Sequence, residues 1–331
     1  MTNVLVTGGA GFIGSHLVDE LVDEGYDVTV VDNLTEQVHD SKPDYLNDEA
    51  EYVWGDVRDR ELMTELLEDA DVLNHQASAV GVGQSMYEIE KYVEVNTLAT
   101  ARILDIIVNE EIDLEKIIVA SSMSIYGEGA YRCPEEDEPR YPSLREEAQM
   151  KAGGWEHVCS ECGAELEPVA TPESKPREST SVYAISKKDQ EELTLSVCRA
   201  YDIPAVALRY FNIFGSRQSL DNPYTGVCAI FSSRIKNDNP PLIFEDGEQT
   251  RDFIHVSDVA RANRLAMESD ASDVAVNIGT GNPVTINEIA ETLGEFYGKE
   301  GELGPKIAND FRQGDIRHCF ADTSLASERL G

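Results

Sequence analysis

The chain has 331 residues, 41% of them hydrophobic, and carries 27 basic against 63 acidic side chains for a formal net charge of −36. Its length favours two lobes around more than one hydrophobic core, and no apolar run approaches the roughly 20 residues that cross a bilayer. This negative charge repels nucleic acids and anionic membranes, and we therefore expect neither as a partner.

The first two thirds of the chain alternate β-rich runs with helical patterns, which is typical of βαβ units around a parallel sheet. Strands are predicted at 4–7, 28–32, 51–55, 72–75, 116–121, 205–210 and 274–278, and helices at 12–24, 60–69, 88–110 and 181–201. This order predicts an α/β fold, a Rossmann-type doubly wound parallel sheet with a smaller α/β substrate-binding lobe.

The domain boundary is predicted at residue 210. Residues 1–210 form the nucleotide-binding domain, with a Cys-bearing insertion at about 130–178. Residues 211–331, rich in Pro and Gly, form mainly the substrate-binding lobe, and the strand at 274–278 returns to the sheet.

Three glycines follow the first predicted strand at intervals of three: Gly8, Gly11 and Gly14. Gly8 permits a tight turn, Gly11 lets a pyrophosphate approach the backbone, and Gly14 lets the helix pack close to the strand. Phe12 and Ile13 open that helix, whose N-terminal amides attract phosphate charge. The pattern predicts a dinucleotide site.

Asp32 ends the second predicted strand. A carboxylate there accepts hydrogen bonds from the adenosine ribose hydroxyls and repels a 2′-phosphate. No Arg follows, since Asn33 and Leu34 come next. The sequence therefore favours NAD over NADP.

Tyr183 and Lys187 lie one turn apart on the same face of a predicted helix. An ammonium beside a phenol favours the phenolate, and the positive charge of oxidised nicotinamide adds to this effect. Tyr183 is therefore predicted to act as a base near neutral pH. The Ser-rich strand end around Ser122 supports a site here.

These motifs, in this order, resemble those of the extended short-chain dehydrogenase/reductase family, and within it the NAD-dependent nucleotide-sugar 4-epimerases. The resemblance implies catalytic roles for Ser122, which would bond the reacting sugar hydroxyl, and for Tyr183 and Lys187. It implies cofactor contacts for Gly8, Gly11, Phe12, Ile13, Gly14, Asp32, Asn33, Asp56, Val57, Ala77, Asn96, Tyr183, Lys187 and Tyr210. It implies substrate contacts for Ser124, Asn212, Arg251, Arg312 and Cys319, with the two arginines on the diphosphate.

The resemblance also bears on the reaction. Members that eliminate water carry an Asp-Glu pair where this chain has Met123 and Ser124, which cannot serve as acid and base for elimination. We therefore expect 4-epimerisation through a transient 4-keto sugar, with hydride passed to bound NAD and returned. The alternatives are a nucleotide-sugar dehydrogenase or reductase, a 4,6-dehydratase, and a non-catalytic NAD-binding scaffold.

The substrate itself is left open. Cys319 falls where similar epimerases place a residue against the 2-substituent of the sugar, so the small thiol either leaves room for an acetamido group or is a packing residue. A Cys-bearing insertion resembles that of a dTDP-L-rhamnose 4-epimerase subgroup, so a dTDP-deoxysugar competes with a UDP-hexose.

The insertion contains a candidate metal site. Cys159 and Cys162, followed by Gly163, resemble half of a zinc ribbon, with Cys133 as a third ligand and His157 as a fourth. A second Cys-x-x-Cys is absent from the sequence, so structural zinc, reduced thiols and a redox pair all remain open.

Location and assembly are predicted from the remaining features. Met1 leads almost directly into the strand at Val4, so we expect no signal peptide and a cytoplasmic protein. The acidic surface indicates adaptation to high salt or, alternatively, a cationic partner. Family resemblance implies a homodimer through helices 88–110 and 181–201, and similar proteins continue beyond Gly331.

Overall fold

The computed structural model describes residues 2–39, 41–219, 226–299, 303–308, 310–312 and 314–331. The strands are β1 (Asn3–Thr7), β2 (Asp27–Asp32), β3 (Glu51–Trp54), β4 (Val72–His75), β5 (Lys116–Ser122), β6 (Ala130–Cys133), β7 (Glu138–Arg140), β8 (Glu167–Val169), β9 (Ala205–Tyr210), β10 (Asn212–Phe214), β11 (Leu242–Ile243), β12 (Thr250–His255), β13 (Val274–Ile278), β14 (Pro283–Thr285), β15 (Lys306–Ile307) and β16 (His318–Cys319). The helices are α1 (Phe12–Asp23), α2 (Arg60–Glu68), α3 (Val82–Ser85), α4 (Ile89–Tyr92), α5 (Ala99–Asn109), α6 (Glu147–Lys151), α7 (Val182–Ala200), α8 (Val227–Lys236), α9 (Val256–Glu268), α10 (Ile286–Phe296) and α11 (Ser324–Arg329), with a π-helical turn at Val93–Leu98 and a 3₁₀ turn at Met123–Tyr126.

A seven-stranded parallel sheet in the order β3-β2-β1-β4-β5-β9-β13 forms the centre of the fold. The seven predicted strands match it to within one residue at each end, and the predicted Rossmann-type class is confirmed. The order reverses between β1 and β4, and ligands of such sheets bind at the carboxyl ends of the strands beside this reversal.

Alternate residues of β1 enter cores on opposite faces of the sheet. Leu5 packs with residues of α2, α5 and α7, such as Met63, Ile103 and Cys198. Val4 packs with α1 on the other face, and the α9 residue Ala260 joins that core. Both faces of the parallel strands are therefore covered, which explains their nearly continuous apolar sequences.

The prediction of one continuous α-helix at 88–110 is wrong for its middle part, which is π-helical. The structure has α4, then the π-helical turn 93–98, then α5. Within the π turn, Asn96 accepts a hydrogen bond at Oδ1 from the Ala79 amide (2.7 Å) and donates from Nδ2 to the Ala79 carbonyl (3.0 Å). Wider turns of this kind are frequent at functional sites.

Beyond Tyr210, a smaller sheet pairs β10, β12 and β14, with β16 alongside β12. The insertion forms its own antiparallel sheet, β7-β6-β8. In the described part of the chain, no helix has the length and apolar character needed to cross a membrane.

Candidate active site

The glycine-rich turn joins β1 to α1. Gly8 has φ +71°, and a Cβ there would lie 2.9 Å from the backbone of Ala77, at the end of β4. A Cβ on Gly14 would lie 2.2 Å from the Gly8 carbonyl oxygen. Gly11 precedes α1 and has no side chain to cap it, so amides of the first turn, from Phe12 and Ile13 onward, are available to phosphate oxygens.

Asp32 lies beside this turn, at the carboxyl end of β2. Its Oδ2 accepts a hydrogen bond from the Ala10 amide (3.0 Å) and its Oδ1 from the Leu34 amide (2.8 Å). Each carboxylate oxygen keeps a further acceptor position. The arrangement fits the ribose hydroxyls of NAD, and the glycine turn fits its diphosphate.

The next predicted cofactor residues follow β2 and β3: Asn33 comes directly after Asp32, and Asp56 and Val57 come shortly after the end of β3. Asn33 donates from Nδ2 to Asp56 at 3.0 Å, and Arg58 donates from its main chain and its guanidinium to the same carboxylate. These bonds, chiefly the Arg58 guanidinium, lower the pKa of Asp56 to about 2. Val57 is buried in the core against α2 and α5. Hydrogen bonds therefore hold Asn33 and Asp56 in place next to Asp32.

Ala77 and Asn96 are held by side chains of the nucleotide-binding half. The Ala77 amide donates to Thr7 Oγ1 at 3.0 Å. Asn96 fixes the segment after Ala77 and donates to Ser186 Oγ at 2.9 Å, which ties that segment to α7. Tyr210 is buried, and its hydroxyl forms hydrogen bonds with Gln76 and Asn263. Tyr210 therefore stabilises the residues that line the site.

Ser122 and Tyr183 meet at the carboxyl end of the sheet. Ser122 ends β5 and starts the 3₁₀ turn, where its Oγ accepts hydrogen bonds from the amide (3.2 Å) and hydroxyl (2.9 Å) of Ser124. Tyr183 begins α7, next to the N-cap Ser181. Burial raises the pKa of Tyr183, and its hydrogen bond with Ser122 acts in the opposite direction.

Lys187 is buried one turn further along α7. Its Nζ donates to the Ala120 carbonyl at 2.8 Å and to Gln190 Oε1 at 2.9 Å. Burial lowers the pKa of Lys187 to about 7. The structure therefore does not show the expected lowering of the Tyr183 pKa by Lys187, because burial dominates the shifts of both groups.

Sequence reasoning missed the polar network behind Lys187. Gln190 donates from Nε2 to Thr100 Oγ1 at 2.9 Å, and His75 Nε2 lies 3.0 Å from that hydroxyl. His75 Nδ1 lies 2.7 Å from Thr7 Oγ1. The position of Gln190, one turn beyond Lys187 on a predicted helix, was the available signal.

Among the predicted substrate residues, Asn212 carries the clearest sign of a ligand. It opens β10, and its Oδ1 is buried without a hydrogen-bond partner in the described structure. A buried amide oxygen of this kind costs free energy unless a ligand or water satisfies it.

The two predicted diphosphate arginines differ in their surroundings. Arg251 donates from its terminal nitrogens to the carbonyls of Thr250, Ile316 and Arg317, at 2.7–2.9 Å. Arg312 is exposed, with its guanidinium 4.2 Å from the centre of the Phe244 ring. Arg312 is therefore exposed to solvent, whereas Arg251 already holds the segment before β16.

Cys319 lies in β16, fully buried against Met123, Tyr126 and Phe211. Burial raises the pKa of its thiol to about 12. Cys319 thus packs against Met123, the residue after Ser122. This placement agrees with the interpretation of Cys319 as a packing residue, and it lies close to the site.

The insertion brings together three of its four predicted metal ligands. The sulfur atoms of Cys133, Cys159 and Cys162 lie within 4.8 Å of one another. His157 lies elsewhere: its Nε2 is 3.1 Å from the buried carboxylate of Glu128. The structure does not group His157 with the three cysteines, because its ring lies beside the buried carboxylate of Glu128.

Comparison with known proteins places this geometry in a family. The model of the NAD-dependent epimerase/dehydratase family matches residues 4–148 and 159–279. A dTDP-L-rhamnose 4-epimerase of Burkholderia thailandensis is 36% identical, over 99% of this chain and 89% of that protein.

Two solved structures are also similar. UDP-glucose 4-epimerase of Thermotoga maritima, with UDP-glucose, has a TM-score of 0.81 and 32% identity, over 100% of this chain and 93% of the other. UDP-N-acetylglucosamine 4-epimerase of Methanobrevibacter ruminantium has a TM-score of 0.78 and 33% identity, over 98% and 91%. The chain belongs to the NAD-dependent epimerase/dehydratase family, which confirms the predicted family, an enzyme, and NAD as its cofactor.

Proposed function

We propose that this member of the NAD-dependent epimerase/dehydratase family is a nucleotide-sugar 4-epimerase. The observation that carries the proposal is the position of the Tyr183 hydroxyl beside Ser122 at the carboxyl end of the sheet, with Lys187 buried one turn behind. Similar proteins named as 4-epimerases cover nearly the whole chain.

Bound NAD supplies a hydride acceptor that can return the hydride. The residues proposed to hold it are the glycine turn, Asp32, Asn33, Asp56, Val57, Ala77, Asn96, Tyr183, Lys187 and Tyr210. Tyr183 takes the proton of the sugar 4-hydroxyl, and Ser122 forms a hydrogen bond with the same hydroxyl. Tyr183 returns the proton after the 4-keto sugar has turned its other face, so neither water nor an external reductant is consumed.

The residues after Ser122 favour this reaction over dehydration. Met123 is buried in an apolar cluster and Ser124 is bonded to Ser122. Neither side chain can act as the acid and base that elimination of water needs.

The proposed substrate is a UDP- or dTDP-linked sugar. Asn212 would use its unpartnered amide oxygen on the substrate, and Arg312 its exposed guanidinium on the diphosphate. Ser124 would help Ser122 at the sugar, Arg251 would position the segment before β16, and Cys319 would form the packing behind it.

The test is incubation with UDP-glucose, UDP-N-acetylglucosamine and dTDP-L-rhamnose, each with NAD in high salt. At least one should yield its 4-epimer, with no deuterium entering C4 in D₂O because the same hydride returns. Tyr183→Phe should lower kcat by about 100-fold or more, whereas Tyr201→Phe, at the exposed position just after the end of α7, should not. Full activity of Tyr183→Phe would overturn the mechanism.

We also propose a cytoplasmic homodimer adapted to high salt. Exposed apolar side chains along α3, α4 and the π turn support the dimer, with Val82, Met86, Ile89, Val93 and Leu98 on this surface. Met86→Glu should shift the sedimentation coefficient to that of a monomer, while Phe296→Glu, at an exposed position on α10, should not. The net charge supports the high-salt habitat.

A further inference from the structure

The cysteine cluster of the insertion has the dimensions of a metal site. Cys133 and Cys162 place their sulfur atoms 3.5 Å apart, and Cys159 completes the cluster. A disulfide requires about 2.05 Å, whereas two sulfurs at about 2.3 Å from one tetrahedral Zn²⁺ are about 3.8 Å apart. We propose that these three cysteines bind one Zn²⁺ as thiolates, with the loss of three thiol protons.

Two tight turns present the three sulfurs. Cys133 ends β6, and its carbonyl accepts the Asp137 amide at 2.8 Å in the turn toward β7. On the other side, the Cys159 amide donates to the Ala164 carbonyl at 2.7 Å and the Gly163 amide donates to the Cys159 carbonyl at 2.9 Å. Gly163 has φ +77°, as the tight turn of a zinc knuckle requires. The backbone thus shapes the site.

The fourth ligand is an oxygen. Cys162 is exposed, so one side of the cluster is open to water, and the Glu136 carboxylate lies 3.9 Å from Cys159 Sγ. Arg140 pairs with Glu136 beside the cluster, and its positive charge offsets part of the excess negative charge of three thiolates around a divalent ion. Either Glu136 or a water completes an S₃O set.

The proposed ion would anchor the insertion to the substrate-binding lobe. Glu156, just before the knuckle, pairs with the fully buried Arg317 and lies 3.0 Å from His318 Nε2. Glu128 accepts the amides of Arg317 and His318 at 2.9 Å and is paired with His157. The zinc site therefore fixes the segment that leads into Cys319, behind Ser122; the consequence for substrate binding rests on the proposed function.

The test is elemental analysis of protein purified without chelators. We expect about one zinc per chain, and at least a fivefold lower content in Cys133→Ser and Cys162→Ser. Cys228→Ser, in α8, is the matched control and should retain the metal. Because metal content is independent of turnover, this result stands or falls separately from the epimerase proposal.

X-ray absorption at the zinc edge of the unmodified protein guards against variants that fail to fold. It should report three sulfurs and one oxygen at zinc distances. Wild-type protein that contains no zinc and takes none up from added ZnCl₂, or a disulfide among these cysteines in the reduced-buffer preparation, would overturn the proposal. So would full zinc content in the variant lacking both Cys133 and Cys162.

The anchoring role has its own readout. Removing zinc with a chelator should accelerate hydrogen exchange of the amides at 128–133 and 317–319, while exchange in β1 and β2 stays unchanged. If removing zinc left exchange at 128–133 and 317–319 as unchanged as in β1 and β2, the proposed link between the metal site and the substrate-binding lobe would be overturned.

Discussion

Lys187 and Gln190 share a hydrogen bond in the interior, from Nζ to Oε1 at 2.9 Å. The Gln190 amide donates in turn to Thr100, at the start of α5. The ammonium proposed to support Tyr183 is therefore oriented by Gln190, a side chain that is fully buried. We expect Gln190 to act as a positioning residue, and the charge state of Lys187 offers a way to test this.

Replacing Gln190 should change the pH dependence of turnover. Gln190→Leu removes an acceptor that favours the charged form of Lys187, so the Lys187 pKa falls and the alkaline limb of the kcat profile moves to lower pH. Gln190→Glu adds a carboxylate and should move that limb to higher pH. We expect about a tenfold loss of kcat in the leucine variant with KM nearly unchanged. Losses without opposite pH shifts would indicate a merely structural role.

Gly14→Ala should abolish retention of NAD. The new Cβ would lie 2.2 Å from the Gly8 carbonyl oxygen and 2.8 Å from the Gly9 Cα, and backbone atoms of the turn cannot move aside without changing the phosphate site. Overpacking of this kind costs about 1–3 kcal/mol. The measurements are NAD content and Tm of purified protein. Gly304→Ala, in open space, should change neither, and normal NAD content in Gly14→Ala would contradict the predicted cradle.

Salt should stabilise the protein. A net charge of −36 creates self-repulsion, and raising the ionic strength from 0.1 to 1 M shortens the Debye length from about 10 to about 3 Å. Tm should therefore rise across a KCl titration, and more steeply than across a sucrose series of equal osmolality. A flat or falling Tm in KCl would argue against adaptation to high salt.

The sheet could be predicted because its strands are buried on both faces and read as apolar runs, as in β1 and β9. The spacing of the glycines likewise predicted the turn between β1 and α1, because the conformation of that turn depends on residues that are close in sequence. By contrast, the π turn at Asn96 depends on bonds to Ala79, and His157 depends on Glu128, far from it in sequence. Arg317 was missed for the same reason: its carboxylate partners come from the insertion and from the second lobe.

His75 should make the protein sensitive to mild acid. Burial, with the charge of Lys187, lowers its pKa to about 3, against about 6.5 in an unfolded chain. Between these values the unfolded state binds one more proton, so stability rises with pH and is lost as pH falls from about 6.5 toward 3. This one group adds a slope of up to about 1.4 kcal/mol per pH unit.

His75→Gln isolates that contribution, because a glutamine side chain can still hydrogen-bond with Thr7 or Thr100 but does not titrate. The free energy of unfolding from urea titrations should fall less steeply for the variant than for the wild type between pH 6.5 and 4.5. His39→Gln, which removes a half-buried histidine outside this hydrogen-bond network, serves as the control. Parallel curves for His75→Gln and the wild type would mean that His75 can take up a proton in the folded protein, and that the network behind Lys187 does not need it neutral.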